Sequence, residues 1–362
     1  MTHPVPYIKV PPFQPVKRLA VTAQEPRNQR MNRPRIAVLA SIAAAVAAFG
    51  QPAQAVSHDG GLTLHDVMAL YAFSDYSVYG HTILFRSRYR TVVFENGSRK
   101  AVVDGVAVYL NGGIDKYGPD WVVRPVDAAG TLGPLLNPDP TLAKVSLGTV
   151  IIDPGHGGKD PGTRTIRLLE EKRLTLDLAK RLRLKLQACG VNAALTRDRD
   201  TFIELDERCG LAARQKADLF VSIHLNASGN LSISGVETYI VPAAGYPSTA
   251  DAIDGRRMAR PVPCPGNRFD GANLLLAYYI HRGVLSQTGA EDRGVRRAHF
   301  FVIRNAPCPA ALVECGFLSN VREAAHLSTE PYRDQVAEGL ARGILTYLVR
   351  AREARLPPAR AD

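Results

Sequence analysis

The chain has 362 residues, of which 46% are hydrophobic and 22% are charged. This composition is typical of a folded protein with a sizeable core and excludes a wholly disordered chain. The formal net charge is +11, but residues 1–55 hold seven Lys and Arg against one acidic residue, so the rest is only mildly basic. A mildly basic surface suits an anionic polymer, either a cell-wall polymer or a nucleic acid, and charge alone does not separate the two.

The N-terminal region has the pattern of a secretory signal. Residues 31–35 are basic, residues 36–50 are apolar, and Ala53-Gln54-Ala55 is a small-x-small cleavage site. We therefore predict cleavage after Ala55 and export to the periplasm, the cell envelope or the medium. The apolar stretch is shorter than the roughly 20 residues of a membrane span, so no span is expected after cleavage.

Signals of this kind begin at the start of translation. We therefore expect Met31 to be the initiator and residues 1–30 to be an extension of the gene model. The alternative for residues 31–55 is an Ala-rich helix, either buried or anchored in a membrane.

Residues 56–130 are predicted to form a small α+β module. Apolar spacing predicts a helix over 64–72 and strands over 81–85, 90–95, 100–103 and 106–110. Asn96-Gly97 and Asp104-Gly105 favour tight hairpin turns. Residues 98–110 and 121–132 resemble the copper amine oxidase N-terminal-like repeat, a module of exported wall proteins. The resemblance implies a spacer or a contact with the wall, because no cluster of metal ligands is visible in these residues.

The chain changes character after this module. Residues 131–147 are rich in Gly and Pro and are predicted to be a turn-rich linker. In residues 148–352 strands alternate with helices, which predicts an α/β domain with a mostly parallel sheet sandwiched by helices; residues 353–362 form a polar tail. The predicted strands are 149–153, 191–196, 218–224, 235–241, 300–303 and 310–314, and the predicted helices are 172–188, 205–215, 272–288 and 332–350.

Two predicted strands of this domain lead into a histidine. His156 follows the first strand in a Gly-rich turn, and His224 ends the third. Reactive groups of open α/β sheets gather at the carboxyl ends of strands, so the two imidazoles are expected to meet there. A single histidine at the end of an apolar strand is more often structural, but two of them weaken that reading. Asp153 is expected to orient His156.

A third metal ligand is expected at the start of the first helix of the domain. Glu171 falls at the centre of the buried stripe, where a carboxylate is a poor packing choice and a good ligand. The alternative, a Glu that only complements the helix dipole, suits Glu170 better. Two histidines and a glutamate with one open position are typical of catalytic zinc, so one Zn²⁺ per chain is predicted. Glu314, directly after an apolar strand, is expected beside it as a general base.

These residues alone indicate a zinc hydrolase. Five segments, in the same order, closely resemble the zinc N-acetylmuramoyl-L-alanine amidases of the amidase-3 family. They are residues 153–158 (DPGHGG), 171–179 (EKRLTLDLA), 220–227 (FVSIHLNA), 235–239 (GVETY) and 312–320 (LVECGFLSN). The departures are Leu225, where the family usually has Ala, and Cys315, where it often has another apolar residue; neither removes a functional group.

The resemblance implies a peptidoglycan hydrolase that cleaves the amide between the lactyl group of N-acetylmuramic acid and L-alanine. It implies peptidoglycan, and not nucleic acid, as the partner. It also implies His156, Glu171 and His224 as zinc ligands and Glu314 as the catalytic carboxylate. Further candidates for orienting a ligand or touching substrate are Asp153, Asn226 and Arg304.

Two other functions remain open from the sequence. One is a zinc peptidase that cuts another amide of the wall. The other is a wall-binding relative without activity, but retention of all four polar residues argues against it, since a binder does not need an exposed carboxylate beside a metal. The oligomeric state is left open.

Five cysteines follow the signal, and none of them forms a CxxC pair. Three lie in apolar surroundings and are predicted to fill the core, namely Cys189, Cys209 and Cys315. Cys264 and Cys308 lie beside prolines in predicted loops and are the candidate disulfide pair.

Overall fold

The computed structural model describes residues 62–117, 120–165, 169–250 and 262–356. The predicted signal, the proposed extension before it and the last six residues of the tail lie outside the described residues. Among the helices that are described, none is long and apolar enough to cross a membrane.

The described chain folds into strands and helices as follows. The strands are β1 (Leu62–Thr63), β2 (Asp75–Tyr79), β3 (Thr82–Arg86), β4 (Thr91–Glu95), β5 (Lys100–Val103), β6 (Val106–Tyr109), β7 (Ile114–Tyr117), β8 (Asp120–Val123), β9 (Thr149–Pro154), β10 (Asn192–Leu195), β11 (Leu219–Asn226), β12 (Val236–Ile240), β13 (Asp292–Arg297) and β14 (Ala310–Phe317). The helices are α1 (Leu64–Leu70), α2 (Pro125–Asp127), α3 (Gly133–Leu136), α4 (Asp139–Leu142), α5 (Glu171–Ala188), α6 (Leu205–Arg214), α7 (Asp270–Thr288), α8 (Phe301–Arg304), α9 (Val321–Ser328) and α10 (Glu330–Glu353). A π-helical turn (Ala128–Leu132) and a 3₁₀ turn (Pro265–Phe269) complete the described helices.

Eleven of the strands form one sheet, in the order β10-β9-β11-β14-β12-β13-β6-β5-β4-β3-β2. The first four strands in this order are parallel to one another, β12 is antiparallel to β14, and β13 is parallel to both of its neighbours. Strands β6 to β2 continue as an antiparallel meander. A second, small sheet has the order β1-β8-β7.

The C-terminal part confirms the predicted α/β sandwich. Strands β9, β11 and β14 are buried along almost their whole length, as expected of parallel strands covered on both faces. Helix α5 turns the predicted stripe of Leu174, Leu178, Leu182 and Leu186 into the core. These four leucines belong to one large hydrophobic cluster.

The N-terminal strands join the main sheet. Strand β6, in the region predicted as a module (residues 56–130), pairs with β13 in the register Val108 to Val295 and extends the main sheet. The segment predicted as a linker, residues 131–147, is mostly short helices, and Leu132, Leu135 and Leu142 are buried in the same cluster as the sheet. Gly and Pro in this segment begin and end short helices that pack against the core.

Hydrogen bonds between side chains of β13 and the backbone of β6 connect the N-terminal strands to the rest of the sheet. The Asp292 carboxylate accepts a hydrogen bond from the Ala107 backbone N–H at 2.8 Å. The Arg297 Nε donates to the Tyr109 carbonyl at 3.0 Å. Since these groups lie on β13 and β6, the junction is held by specific bonds and not by packing alone.

Several elements differ from the sequence prediction. Residues 300–303, predicted as a strand, lie at the start of helix α8, because an apolar run of four residues is compatible with either structure. Strand β13 was missed because its sequence, DRGVRR, is charged. Strands β2, β7 and β8 and helix α9 were also missed.

The five cysteines are free thiols, so the candidate disulfide between Cys264 and Cys308 is not formed. The Cys264 thiol caps the 3₁₀ turn and donates to the Asn267 side-chain oxygen at 3.3 Å. Cys308 is buried in a second, smaller cluster, which also holds Cys209. The predicted core positions of Cys209 and Cys315 are confirmed, and Cys189 is half-buried against the main cluster.

Candidate metal centre and active site

His156 is presented by a turn that requires glycine beside it. The Gly155 N–H donates to the Ile223 carbonyl at 2.9 Å, which continues the pairing of β9 with β11. A Cβ on Gly155 would lie 2.3 Å from the His224 ring, so only glycine lets the two histidines approach. His156 itself has a φ of 61°, a left-handed conformation that is unusual for histidine and aims its ring at the edge of the sheet.

Glu171 joins the two histidines. It begins helix α5, is 3% exposed, and its Oε1 lies 3.1 Å from His156 Nε2 and 3.1 Å from His224 Nδ1. One ligand atom from each of the three residues lies within 4.8 Å of the others. Two imidazole nitrogens and a carboxylate oxygen converging on one point fit the donor set of a catalytic zinc site. Glu170, the alternative position, instead pairs with Arg164 at 3.0 Å.

The three side chains perturb one another electrostatically. Burial by itself would lower the pKa of His156, but the hydrogen bonds and charges of Glu171 and Asp160 outweigh it and raise that pKa. Burial by itself would raise the pKa of Glu171, but its hydrogen bonds with His156 and His224 hold that pKa well below the usual value. The carboxylate therefore remains ionised, as a metal ligand must be.

Asp160, and not Asp153, orients His156. The Asp160 carboxylate lies 2.7 Å from His156 Nδ1, on the side of the ring away from Glu171. Asp153 is 1% exposed, pairs with Arg208 at 2.7 Å and has no hydrogen bond to His156 among the described residues. Asp160 was not predicted as a site residue, because the turn that folds it back onto His156 has no periodic signal.

Two buried arginines hold the turn that carries His156. Arg208 donates to the Pro154 carbonyl and to the His156 carbonyl, each at 2.9 Å. Arg197 donates to the Gly155 carbonyl at 2.8 Å. Both arginines are far from the turn in sequence, and no local pattern pointed to them. Asp153 thus supports His156 only indirectly, by holding Arg208.

Glu314 lies beside the three ligands. It pairs in register with His224 across strands β14 and β11. Its Oε2 is buried and has no hydrogen-bond partner among the described residues. Burial raises the pKa of Glu314 well above the usual value, and the charges of Glu171 and Glu237 add to this. A carboxyl that is unpartnered and has a raised pKa is typical of a catalytic acid or base.

All four residues open onto one cavity of about 850 Å³. Phe300 and Phe301 form part of its apolar wall and are 40% and 42% exposed. Asn226 lines the cavity as well, in agreement with its selection from the sequence, whereas Arg304 does not. The structure thus brings the predicted ligands, the predicted base, Asp153 and Asn226 to one cavity, and leaves Arg304 outside.

Comparison with known proteins identifies the family of the chain. The amidase-3 family, described as N-acetylmuramoyl-L-alanine amidase, matches residues 150–346, which is more than half of the chain. The chain is 37% identical over 199 residues to the N-acetylmuramoyl-L-alanine amidase LytC of Bacillus subtilis, covering 55% of this chain and 35% of that protein. It is 30% identical over 217 residues to the amidase AmiA of Escherichia coli, covering 55% of this chain and 75% of that protein.

The other comparisons concern a further relative and a solved structure. The amidase AmiC of Neisseria meningitidis is 33% identical over 223 residues, covering 55% of this chain and 52% of that protein. The catalytic domain of CwlV from Bacillus (Paenibacillus) polymyxa is 36% identical, with a TM-score of 0.46, and covers 56% of this chain and 99% of that domain. The chain spans between about a third and a half of the length of the LytC and AmiC relatives.

Proposed function

Since the chain belongs to the N-acetylmuramoyl-L-alanine amidase family, we propose that it is a zinc-dependent peptidoglycan hydrolase. The bond cleaved is the amide between the lactyl group of N-acetylmuramic acid and L-alanine of the stem peptide. The observation that carries the proposal is the convergence of His156, Glu171 and His224 within 4.8 Å, beside the unpartnered carboxyl of Glu314.

Zinc is the metal that this donor set suits, and His156, Glu171 and His224 would hold it. When bound, the ion supplies Lewis-acid chemistry, which polarises the amide carbonyl and makes water a better nucleophile. Asp160 accepts the proton of His156 Nδ1, so the lone pair of Nε2 points toward Glu171 and the metal position.

Glu314 moves the proton. Glu314 lines the cavity and its Oε2 has no hydrogen-bond partner among the described residues, so the carboxyl can accept a proton from the attacking water. The carboxyl then holds this proton until the alanine nitrogen departs. Transfer of that proton to the nitrogen completes hydrolysis and returns Glu314 to its ionised form.

The substrate lies outside the cytoplasm, so this function requires export. The signal predicted over residues 31–55 would provide it, and the mature chain would then begin at Val56. A contact of the N-terminal strands with the wall is retained as a prediction.

The metal content of purified mature chain tests the proposed centre. We expect about one zinc per chain, and loss of zinc in both His156→Ala and His224→Ala, because two remaining ligands cannot replace the third. His81→Ala, which removes an exposed histidine outside the cavity, is the matched control and should keep its zinc. Metal analysis measures the outcome, and full zinc occupancy in both site variants would show that the metal lies elsewhere.

A further inference from the structure

A buried carboxylate that the proposed mechanism does not use lies beside the active site. Glu237 is on β12, is 3% exposed, and is opposite Glu314 in the register of β12 with β14. Its Oε1 accepts from Arg293 Nε at 3.0 Å and lies 3.4 Å from Arg296 NH1. Its Oε2 accepts from the Tyr239 hydroxyl at 2.7 Å. With this many partners the carboxylate is fixed in position.

The remaining partner of Glu237 is a residue of the active-site cavity. Asn226 donates from Nδ2 to Glu237 Oε2 at 2.9 Å, and its Oδ1 accepts from the Ala227 N–H at 2.7 Å. A carboxylate can only accept and a backbone N–H can only donate, so these two bonds fix which way the amide points. The second Nδ2 hydrogen has no acceptor in the part of the chain that the structure describes.

Asn226 lies on the same side of the sheet as His224. The register of β11 with β14 shifts between these two residues, but both are half-buried whereas Leu225 between them is buried. Both line the cavity of about 850 Å³. The unused hydrogen of Asn226 is therefore available to a molecule bound next to the metal ligands.

We propose that Asn226 donates this hydrogen to an amide carbonyl oxygen of the bound peptidoglycan and that Glu237 is the residue that positions it. This inference rests on the proposed function and adds a substrate contact to it. The stem peptide of the proposed substrate supplies such oxygens in its amide bonds, and a carbonyl oxygen is an acceptor that suits an amide N–H donor.

The same contacts connect the site to the N-terminal strands. Arg296 NH2 donates to the Tyr109 hydroxyl at 3.1 Å, and its guanidinium lies 4.7 Å from the centre of the Tyr109 ring. Tyr109 is the last residue of β6. Strand β6 thereby helps to hold Arg296 against Glu237, and through Glu237 it supports Asn226.

Steady-state kinetics on a soluble muropeptide, with the full mature chain, test the substrate contact. Asn226→Ala should raise KM by about 10-fold, since a single hydrogen bond of this kind is lost. Its kcat should stay within about twofold, because the bond is made to substrate and transition state alike. Zinc content and Tm should not change. Asn192→Ala removes an exposed, hydrogen-bonded asparagine of β10 and should leave KM unchanged.

A double-mutant cycle tests the positioning role. Glu237→Gln should raise KM as Asn226→Ala does, and should add nothing in the Asn226→Ala background, because both changes remove the same contact. Tyr109→Phe is a second test that does not depend on the folding of Glu237→Gln, because it keeps the ring and leaves the buried carboxylate in place. Tyr109→Phe should raise KM by about 3-fold, because it weakens the Asn226 contact with the substrate without removing it; this is the lower end of the effect of losing a neutral hydrogen bond. In the Asn226→Ala background it should raise KM no further.

The outcomes separate this inference from the function on which it rests. An active wild-type enzyme with an unchanged KM in Asn226→Ala would overturn the substrate contact alone. Effects of Tyr109→Phe and Asn226→Ala that add in full would overturn the positioning by Glu237. A zinc-loaded wild-type enzyme that leaves the lactyl–alanine bond intact would overturn the proposed function, and the inference with it.

Discussion

At the scale of single residues, the candidate site depends on the close approach of its ligand side chains to one another and to the backbone. A Cβ on Gly162 would lie 2.5 Å from Glu171 Oε2 and 2.7 Å from the His156 ring, and its φ is +64°. Glycine is required there because any side chain would separate a ligand from its neighbour. The ligands themselves were predictable, because each lies at a strand or helix end with a local signal. Asp160, Arg197 and Arg208 were not, because tertiary folding alone brings them to the turn.

Replacement of Glu314 by Gln separates proton transfer from metal binding. Glu314→Gln keeps the shape of the side chain but removes the group that accepts and returns the proton. The rate should fall by about 100- to 10,000-fold, the usual contribution of a positioned acid–base group. Muropeptide turnover and zinc content are the measurements.

Zinc content and Tm of Glu314→Gln should be at least those of the wild type, since the change removes a buried carboxyl that has no partner among the described residues. Near-normal turnover in a zinc-loaded Glu314→Gln protein would show that another group is the base.

At the scale of elements, the sequence patterns predicted most strands and helices of the C-terminal part but not the pairing of β13 with the N-terminal strand β6. Periodicity predicts α5 and β11 well, because each has a long apolar face. It fails for β13, whose arginines pair with Glu237 and with Tyr109 and do not face water. Since β13 is the strand that pairs with β6, missing β13 also meant missing the continuation of the main sheet into the N-terminal strands.

Deletion of the N-terminal elements tests this join. A chain that begins at residue 148 loses the β6 pairing and the packing of Leu132, Leu135 and Leu142 against the main core. Each buried leucine contributes roughly 1.5–3 kcal/mol, so Tm should fall by at least about 10 °C. KM should also rise, because Arg296 loses Tyr109. Thermal denaturation and kinetics measure both effects, and a fragment with wild-type Tm and KM would restore the two-domain interpretation.

At the scale of the whole molecule, one continuous sheet carries the catalytic residues toward one end and an antiparallel meander at the other. The metal ligands, Glu314 and Asn226 all come from β11, β14 and the segments after β9, where the carboxyl ends of parallel strands meet. The meander covers the edge strand β13, which would otherwise expose unpaired backbone groups next to Glu237. The N-terminal strands are therefore part of the same sheet as the candidate site.

Mass spectrometry of muropeptides digested by the mature chain tests the central claim most directly. The account predicts release of intact stem peptides that carry a free alanine amino group, together with peptide-free glycan. A chelator should abolish both products, and added zinc should restore them. Products cut at any other bond, with the lactyl–alanine amide intact, would contradict it.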